Sequence, residues 1–248
     1  MVKVQNSGVN SINSRDESPR PPATRRIRSF VCRPGRITRA QQRALETGWQ
    51  QFGIETRNEV LDLNGIFGRH APRYLEIGFG MGDGLMEMAL ANPQCDYLGI
   101  EVYEPGLGRL IHQLTERNIS NVRAIRGDAV EVLERCITQR ALDGVFLYFP
   151  DPWPKKRHHK RRIVQPGFVS LVCGRLKPGG YFELATDWAD YAAHMLKTLE
   201  AESGFTNMAG PGRFPPRPIR RPFTKFEQRG RGIGHGIWDL VFVRNPSH

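Results

Sequence analysis

A chain of 248 residues, 39% of them hydrophobic, is long enough to bury one α/β domain of ordinary size or two small ones. Its formal net charge of +11 asks for a polyanionic partner, either nucleic acid or an anionic membrane surface. The N-terminus lacks an apolar targeting core, no segment is apolar for long enough to span a bilayer, and the basic runs sit among Pro and Gly rather than on an amphipathic helix; these features argue against a secreted or membrane protein and favour nucleic acid.

The four cysteines, Cys32, Cys95, Cys136 and Cys173, are far apart and show neither disulfide-framework nor zinc-ligand spacing. A reducing cytoplasm is therefore the simplest compartment, and no metal site is expected. Residues 1–36 hold eight Lys/Arg against two acids and little hydrophobic pattern, which reads as a disordered basic arm, or as a solvated tail with no role. From Thr38 the composition becomes globular. Residues 37–248 are expected to form a single domain, with a Pro/Arg-rich insertion around 210–232.

Strand and helix signals then alternate from Arg73 to about Leu199, the pattern of a parallel sheet covered by helices. Arg73 to Ile77 is a short strand, and Asp83 to Ala91 a helix with Leu85, Met88 and Ala89 at helical spacing. Tyr97 to Val102 is the second strand; the helix Pro105 to Arg117 aligns Leu107, Leu110, Ile111 and Leu114 on one face. Asn121 to Arg126 is a third strand, and Val130 to Cys136 a short helix. Gly144 to Phe149 is a near-continuous apolar run, as expected of a strand buried on both faces. A further helix ends at the Lys177-Pro178-Gly179-Gly180 turn, Gly180 to Ala185 is the fifth strand, and Ile237 to Val243 the last.

Between the first strand and first helix lies Glu76-Ile77-Gly78-Phe79-Gly80-Met81-Gly82-Asp83-Gly84, whose alternate glycines let the backbone turn tightly and approach a ligand. Such a turn can serve a dinucleotide, a mononucleotide or nothing. Glu76, Glu101 and Asp128 narrow the choice, because each falls where a strand should end at the ligand-binding edge of an open sheet. Glu101 is placed to accept ribose hydroxyls, Asp128 an adenine amino group, and Glu76 an ammonium, directly or through water. Any one of them can instead be a solvated carboxylate or a helix cap. Acids at Glu76 and Asp83 would repel a pyrophosphate but suit a ligand carrying sulfonium and ammonium charges.

After the fourth strand comes Phe149-Pro150-Asp151-Pro152-Trp153-Pro154, followed by Lys155-Lys156-Arg157-His158-His159-Lys160-Arg161-Arg162. Proline fixes φ and so presents Asp151 and Trp153 in a defined pose, and a tryptophan face can stack on a nucleobase. The basic run can neutralise phosphates; its bland alternative is a solvated face. His158 and His159 lack a plausible set of metal ligands.

This stretch closely resembles the signature of the bacterial tRNA (guanine-N7)-methyltransferases, and three further segments agree: the glycine turn, Ala185-Thr186-Asp187-Trp188, and Arg221-Pro222-Phe223-Thr224-Lys225-Phe226-Glu227. The resemblance implies a Rossmann-like class I methyltransferase fold, with a mostly parallel sheet of about seven strands, an antiparallel C-terminal strand and helices on both faces. It further implies S-adenosylmethionine as methyl donor, no metal, tRNA as partner, and the variable-loop guanosine as target. By this resemblance Glu76, Gly78, Gly80, Glu101 and Asp128 bind the donor, and Asp151 serves both donor and catalysis. Lys155, Asp187, Thr224, Lys225, Phe226 and Glu227 bind substrate, and Arg157, His158, His159, Lys160, Arg161 and Arg162 contact RNA. A monomer is expected, with a homodimer as the alternative. Two rival readings are an amino-group methyltransferase, which would favour an Asn/Asp-Pro-Pro-aromatic turn over Asp-Pro-Trp-Pro, and a non-catalytic RNA-binding protein, which would have lost the acids that are present here.

Overall fold

Helix α1 (Arg39–Phe52) begins where the composition turns globular. The Thr38 hydroxyl accepts the Gln41 N–H while the Gln41 side chain accepts the Thr38 N–H, a reciprocal cap that satisfies otherwise orphaned donors. Ala44, Gly48 and Phe52 recur every four residues and form its buried stripe. This is a computed structural model, and it describes residues 28–30, 35–56, 59–223, 227 and 236–246. Most of the basic arm, and Thr224, Lys225 and Phe226, lie outside the described residues.

Among the described residues eight strands follow: β1 (Gly53–Ile54), β2 (Arg73–Ile77), β3 (Asp96–Glu101), β4 (Val122–Arg126), β5 (Leu142–Tyr148), β6 (Leu176–Thr186), β7 (Phe205–Asn207) and β8 (Trp238–Arg244). They form one sheet in the order β1-β4-β3-β2-β5-β6-β8-β7, parallel up to β6 and antiparallel where β8 pairs with β6 and with β7. This is the expected mostly parallel sheet of about seven strands with an antiparallel C-terminal strand, with eight strands in the event. The two unforeseen edge strands span two and three residues, too short for any alternation to register.

The remaining helices are α2 (Leu63–Phe67), α3 (Asp83–Ala91), α4 (Glu104–Glu116), α5 (Ala129–Arg135), α6 (Pro166–Arg175) and α7 (Ala189–Glu200), with a 3₁₀ helix at Lys156–Arg161. One face of the sheet packs on α5, α6 and α7 through Leu133, Val169, Val172, Met195 and Leu199. The other packs on α1, α3 and α4 through Phe52, Leu85, Leu107, Leu110 and Leu114. Coverage on both faces explains why all six residues of β3 are buried and why β5 is apolar and buried from Gly144 to Tyr148.

Chain order fixes where a ligand can go. From β2 the chain moves outward through β3 to β4, then returns by α5 to place β5 on the opposite side of β2. Such a reversal opens a crevice at the C-terminal ends of the two central strands. A cavity of about 710 Å³ lies there, lined by Gly78, Gly80, Glu101, Tyr103, Asp151 and Trp153 among others.

Candidate active site

The glycine turn leaves β2 with Gly78, Gly80 and Gly82 all at positive φ (72°, 58° and 81°), where an L side chain would be strained. A Cβ built on Gly78 or Gly80 would meet no protein atom within 4 Å, so both face the open cavity that they line. Their N–H groups are nonetheless occupied: Gly78 donates to the Ile100 carbonyl (2.8 Å), Gly80 to Glu101 Oε2 (2.7 Å) and Gly82 to the Phe79 carbonyl (2.9 Å). A phosphate cradle needs such donors free. The case against pyrophosphate thus rests on these bonds and on Glu76, since Asp83 is paired with Arg109 at 2.7 Å.

The three strand-end acids occupy different environments. Glu76 is buried at 5% exposure, its Oε2 has no hydrogen-bond partner, and burial followed by the Glu101 charge pushes its pKa up to about 8. Glu76 does not itself line the cavity but precedes Ile77 and Gly78, which do, and a buried carboxylate oxygen without a partner there fits a cationic ligand group. Glu101 lies at the cavity wall and accepts three backbone N–H bonds, from Gly80, Val102 (2.7 Å) and Tyr103 (3.0 Å). A carboxylate offers about four lone-pair sites. Glu101 therefore has room for about one further bond, not for two ribose hydroxyls at full strength. Asp128 caps α5 by accepting the Val130 N–H at 2.9 Å, the helix-cap alternative, while its neighbours Gly127 and Ala129 line the cavity.

Asp151 sits on the cavity rim between two residues of left-handed backbone, Phe149 (φ 52°) and Trp153 (φ 45°). Such conformations cost about 1–3 kcal/mol each in non-glycine residues and persist only where the surroundings hold them. The Phe149 N–H donates to the Ala185 carbonyl (2.8 Å), and the Trp153 indole N–H to the Ser29 carbonyl (3.1 Å). Arg161 lies 4.9 Å over the Trp153 ring and His158 meets its edge. Lys155, Lys156, Arg157 and Lys160 are exposed, and His158, His159 and Arg161 half-buried. Burial and then the flanking cations hold the His158 imidazole below its ordinary pKa. Arg162, grouped with the RNA contacts by resemblance, is instead buried, bonded to Pro152 and Asp190.

Asp187 follows β6 beside the turn that bears Asp151, because Tyr148 pairs with Ala185 where β5 and β6 end. Trp188, not Asp187, occupies the N-cap position of α7. Glu227 is buried, its carboxylate 2.7 Å from Arg221 and 3.3 Å from Arg217. Arg221 is buried and also reaches Asp239 (2.6 Å), and the half-exposed Arg220 side chain bonds Glu183 (2.7 Å), which in turn accepts the Tyr148 hydroxyl. Glu183, Arg220 and Asp239 carry no signal of this role in the sequence, and Arg221 stands in a family motif without one. Glu183 and Asp239 are visible there only as single charges inside otherwise apolar strands. Among the described residues no group of His, Cys, Asp or Glu is arranged to hold a metal, and no helix is long and apolar enough to cross a membrane.

A mostly parallel sheet with an antiparallel C-terminal strand, helices on both faces and a glycine turn after its central strand is the fold of the class I methyltransferases. The family described as "Putative methyltransferase" matches residues 70–240. A tRNA (guanine-N(7)-)-methyltransferase of Alcanivorax borkumensis is 53% identical over 220 residues, 89% of this chain and 92% of that one. Its namesake in Pseudomonas aeruginosa PAO1 is 52% identical over 240 residues, 97% of each chain. The chain belongs to the tRNA (guanine-N(7)-)-methyltransferase family. The solved 16S rRNA methyltransferase KamB superposes with a TM-score of 0.55 at 14% identity, over 76% of this chain and 95% of that one; at that identity the likeness concerns the fold alone.

Proposed function

We propose that the cavity binds S-adenosylmethionine and that the protein transfers its methyl group to N7 of the variable-loop guanosine of tRNA in the cytoplasm. One observation carries this reading: the open glycine cradle with Glu101 and Asp151 lines one cavity, and Glu76, whose buried Oε2 has no hydrogen bond, stands two residues before Gly78. When bound, S-adenosylmethionine supplies an electrophilic methyl group on a cationic sulfur. Glu76 holds its ammonium, and Glu101 takes a ribose hydroxyl with its remaining lone pair. Asp128 keeps its second carboxylate oxygen for the adenine amino group while capping α5.

Guanine N7 has an in-plane lone pair, so no base need remove a proton before attack. Catalysis is then chiefly alignment, supplied by the rigid turn around Asp151. Positive charge develops on the guanine as N7 is alkylated, and ionised Asp151 stabilises it or accepts the N1 and N2 donors of the base. Exposed Lys155, Lys156, Arg157 and Lys160 hold phosphates, and Asp187, Thr224, Lys225 and Phe226 act on the substrate, while buried Glu227 acts through Arg221 and Arg217.

The test is incubation with radiolabelled S-adenosylmethionine and unmodified tRNA, followed by borohydride and aniline, which cut at N7-methylguanosine. Label with a single variable-loop cut supports the whole reading. Label without the cut moves the target to a base amino group or ribose, and no label with both ligands bound points to a non-catalytic RNA-binding protein. Within this reading Trp153 stacks on the extruded base, contributing on the order of 1–3 kcal/mol. Trp153→Ala should then weaken tRNA binding roughly tenfold and donor binding less, by titration of each ligand. Equal losses for both ligands would reject stacking.

A further inference from the structure

We propose that Arg162 is a positioning residue for the turn that carries Asp151, acting through the Pro152 carbonyl. This rests on the reaction assigned above to that turn.

The Arg162 side chain is 1% exposed, so no phosphate can reach it without unfolding the segment. Its guanidinium is committed in three directions. Nε donates to the Pro152 carbonyl at 2.9 Å, Nη2 donates to Asp190 Oδ2, and the plane lies 4.8 Å over the Tyr191 ring. Its own backbone N–H donates to the His159 carbonyl and closes the basic 3₁₀ helix. One residue therefore ties the acidic turn to the first turn of α7 and to the end of the RNA-facing helix.

The turn needs such a tie. Proline at 150, 152 and 154 removes three backbone donors, and fixes φ but not ψ. Phe149 and Trp153 are held in left-handed conformations that relax unless over-determined. Phe149 is fixed from the sheet side and the Trp153 ring by Ser29 and Arg161, while the Pro152 carbonyl, next to Asp151, receives its hydrogen bond from Arg162. A planar fork suits this role because it addresses the carbonyl and the carboxylate at once. Lysine presents a single ammonium and holds the two partners less rigidly.

Arg162→Gln, Arg162→Lys and Asp190→Ala, compared with the wild type, test the proposal by two independent routes. With substrate, Arg162→Gln should lower kcat at least tenfold, leave donor affinity within twofold, and leave the salt dependence of tRNA binding unchanged. Arg162→Lys should retain part of the lost rate. Asp190→Ala, which spares the Pro152 bond, should lose less than Arg162→Gln. Without substrate, backbone hydrogen exchange over residues 153–162 should accelerate at least tenfold in Arg162→Gln while that of β2 and β3 is unchanged.

A salt slope reduced by about 0.7–0.9, the amount expected for one lost phosphate contact, with kcat retained would make Arg162 an RNA contact and overturn the proposal. Unchanged exchange in the turn would overturn it as well, as would parallel losses of kcat, donor affinity and tRNA affinity. Should Arg162→Gln not fold, Arg162→Lys and Asp190→Ala carry the same exchange measurement, and unchanged exchange in both rejects the role. Absence of transfer by the wild type rejects the assigned reaction alone, because the exchange measurement still decides the positioning.

Discussion

Arg221→Ala should lower the free energy of unfolding at neutral pH by about 3–5 kcal/mol, the loss expected when one partner is removed from a buried ion cluster. The side chain of Arg221 is fully buried and serves two buried carboxylates, Glu227 at 2.7 Å and Asp239 at 2.6 Å. Burial pushes the Glu227 carboxyl up, but hydrogen bonds and charge from Arg221, with help from Arg217, hold it below the usual range overall. Without the guanidinium both acids keep their desolvation cost and lose most of their compensation. Lost packing of the arginine stem is the competing explanation, and Arg221→Met separates the two by restoring volume without charge. Urea denaturation should find Arg221→Met nearly as destabilised as Arg221→Ala; recovery of most of the loss would assign the effect to packing. The sign with pH is also set. Glu227 and Asp239 titrate at higher pH in the folded variant than in its unfolded chain, so the deficit should shrink as the pH is lowered towards 5 and both acids take up protons. Arg221 lies directly before Pro222, which packs against Gly84 at the start of α3, so the same variant should disturb that contact.

The sequence makes the central sheet legible because its strands are buried on both faces and its crossover helices carry clear apolar stripes. Glycine, carboxylate and proline positions are likewise readable, since each has a geometric reason to stand at a strand end. Side-chain direction in segments without periodicity is not. Arg217, Arg220 and Arg221 sit among Pro and Gly with no periodicity to set their direction, yet they pair with Glu227, Glu183 and Asp239. Two of the partners stand in strands distant in sequence, Glu183 37 residues from Arg220 and Asp239 18 from Arg221. Arg162 illustrates the same limit at closer range. Spacing gives no distinction between it and Arg161, but the 3₁₀ helix turns one toward Trp153 and the other toward Asp190. The helix α1 has a strong stripe and a reciprocal cap at Thr38 and Gln41, so it was available to the sequence; it lies before the glycine turn, where the reading of motifs begins.

Glu76→Gln should separate stability from binding in opposite directions. In the free protein burial and the nearby Glu101 charge raise the Glu76 pKa to about 8, well above the 4.5 of an unperturbed carboxyl. The folded chain therefore holds this proton more tightly than the unfolded chain. The associated stability is complete below about pH 4.5 and is lost as the pH rises to about 8, by about 1.4 kcal/mol per pH unit between the two values. Glutamine resembles the protonated acid and does not titrate. Wild type and variant should thus be alike near pH 5, and the variant should be more stable by about 2–3 kcal/mol more at pH 8 than at pH 6. Donor binding should run the other way. Only ionised Glu76 attracts an ammonium, so wild-type affinity should climb up to tenfold per pH unit from pH 6 and level off above 8. In the variant that climb is absent, and any titration of the ligand itself is common to both proteins and cancels in the comparison. Denaturant midpoints and donor titrations at the same series of pH values decide the matter. Parallel profiles would mean that Glu76 stays ionised in the free protein, and the cationic seat would have to be sought elsewhere in the cavity. Diverging profiles would mean that the protein keeps a destabilising carboxylate because ligand binding, not folding, supplies its partner.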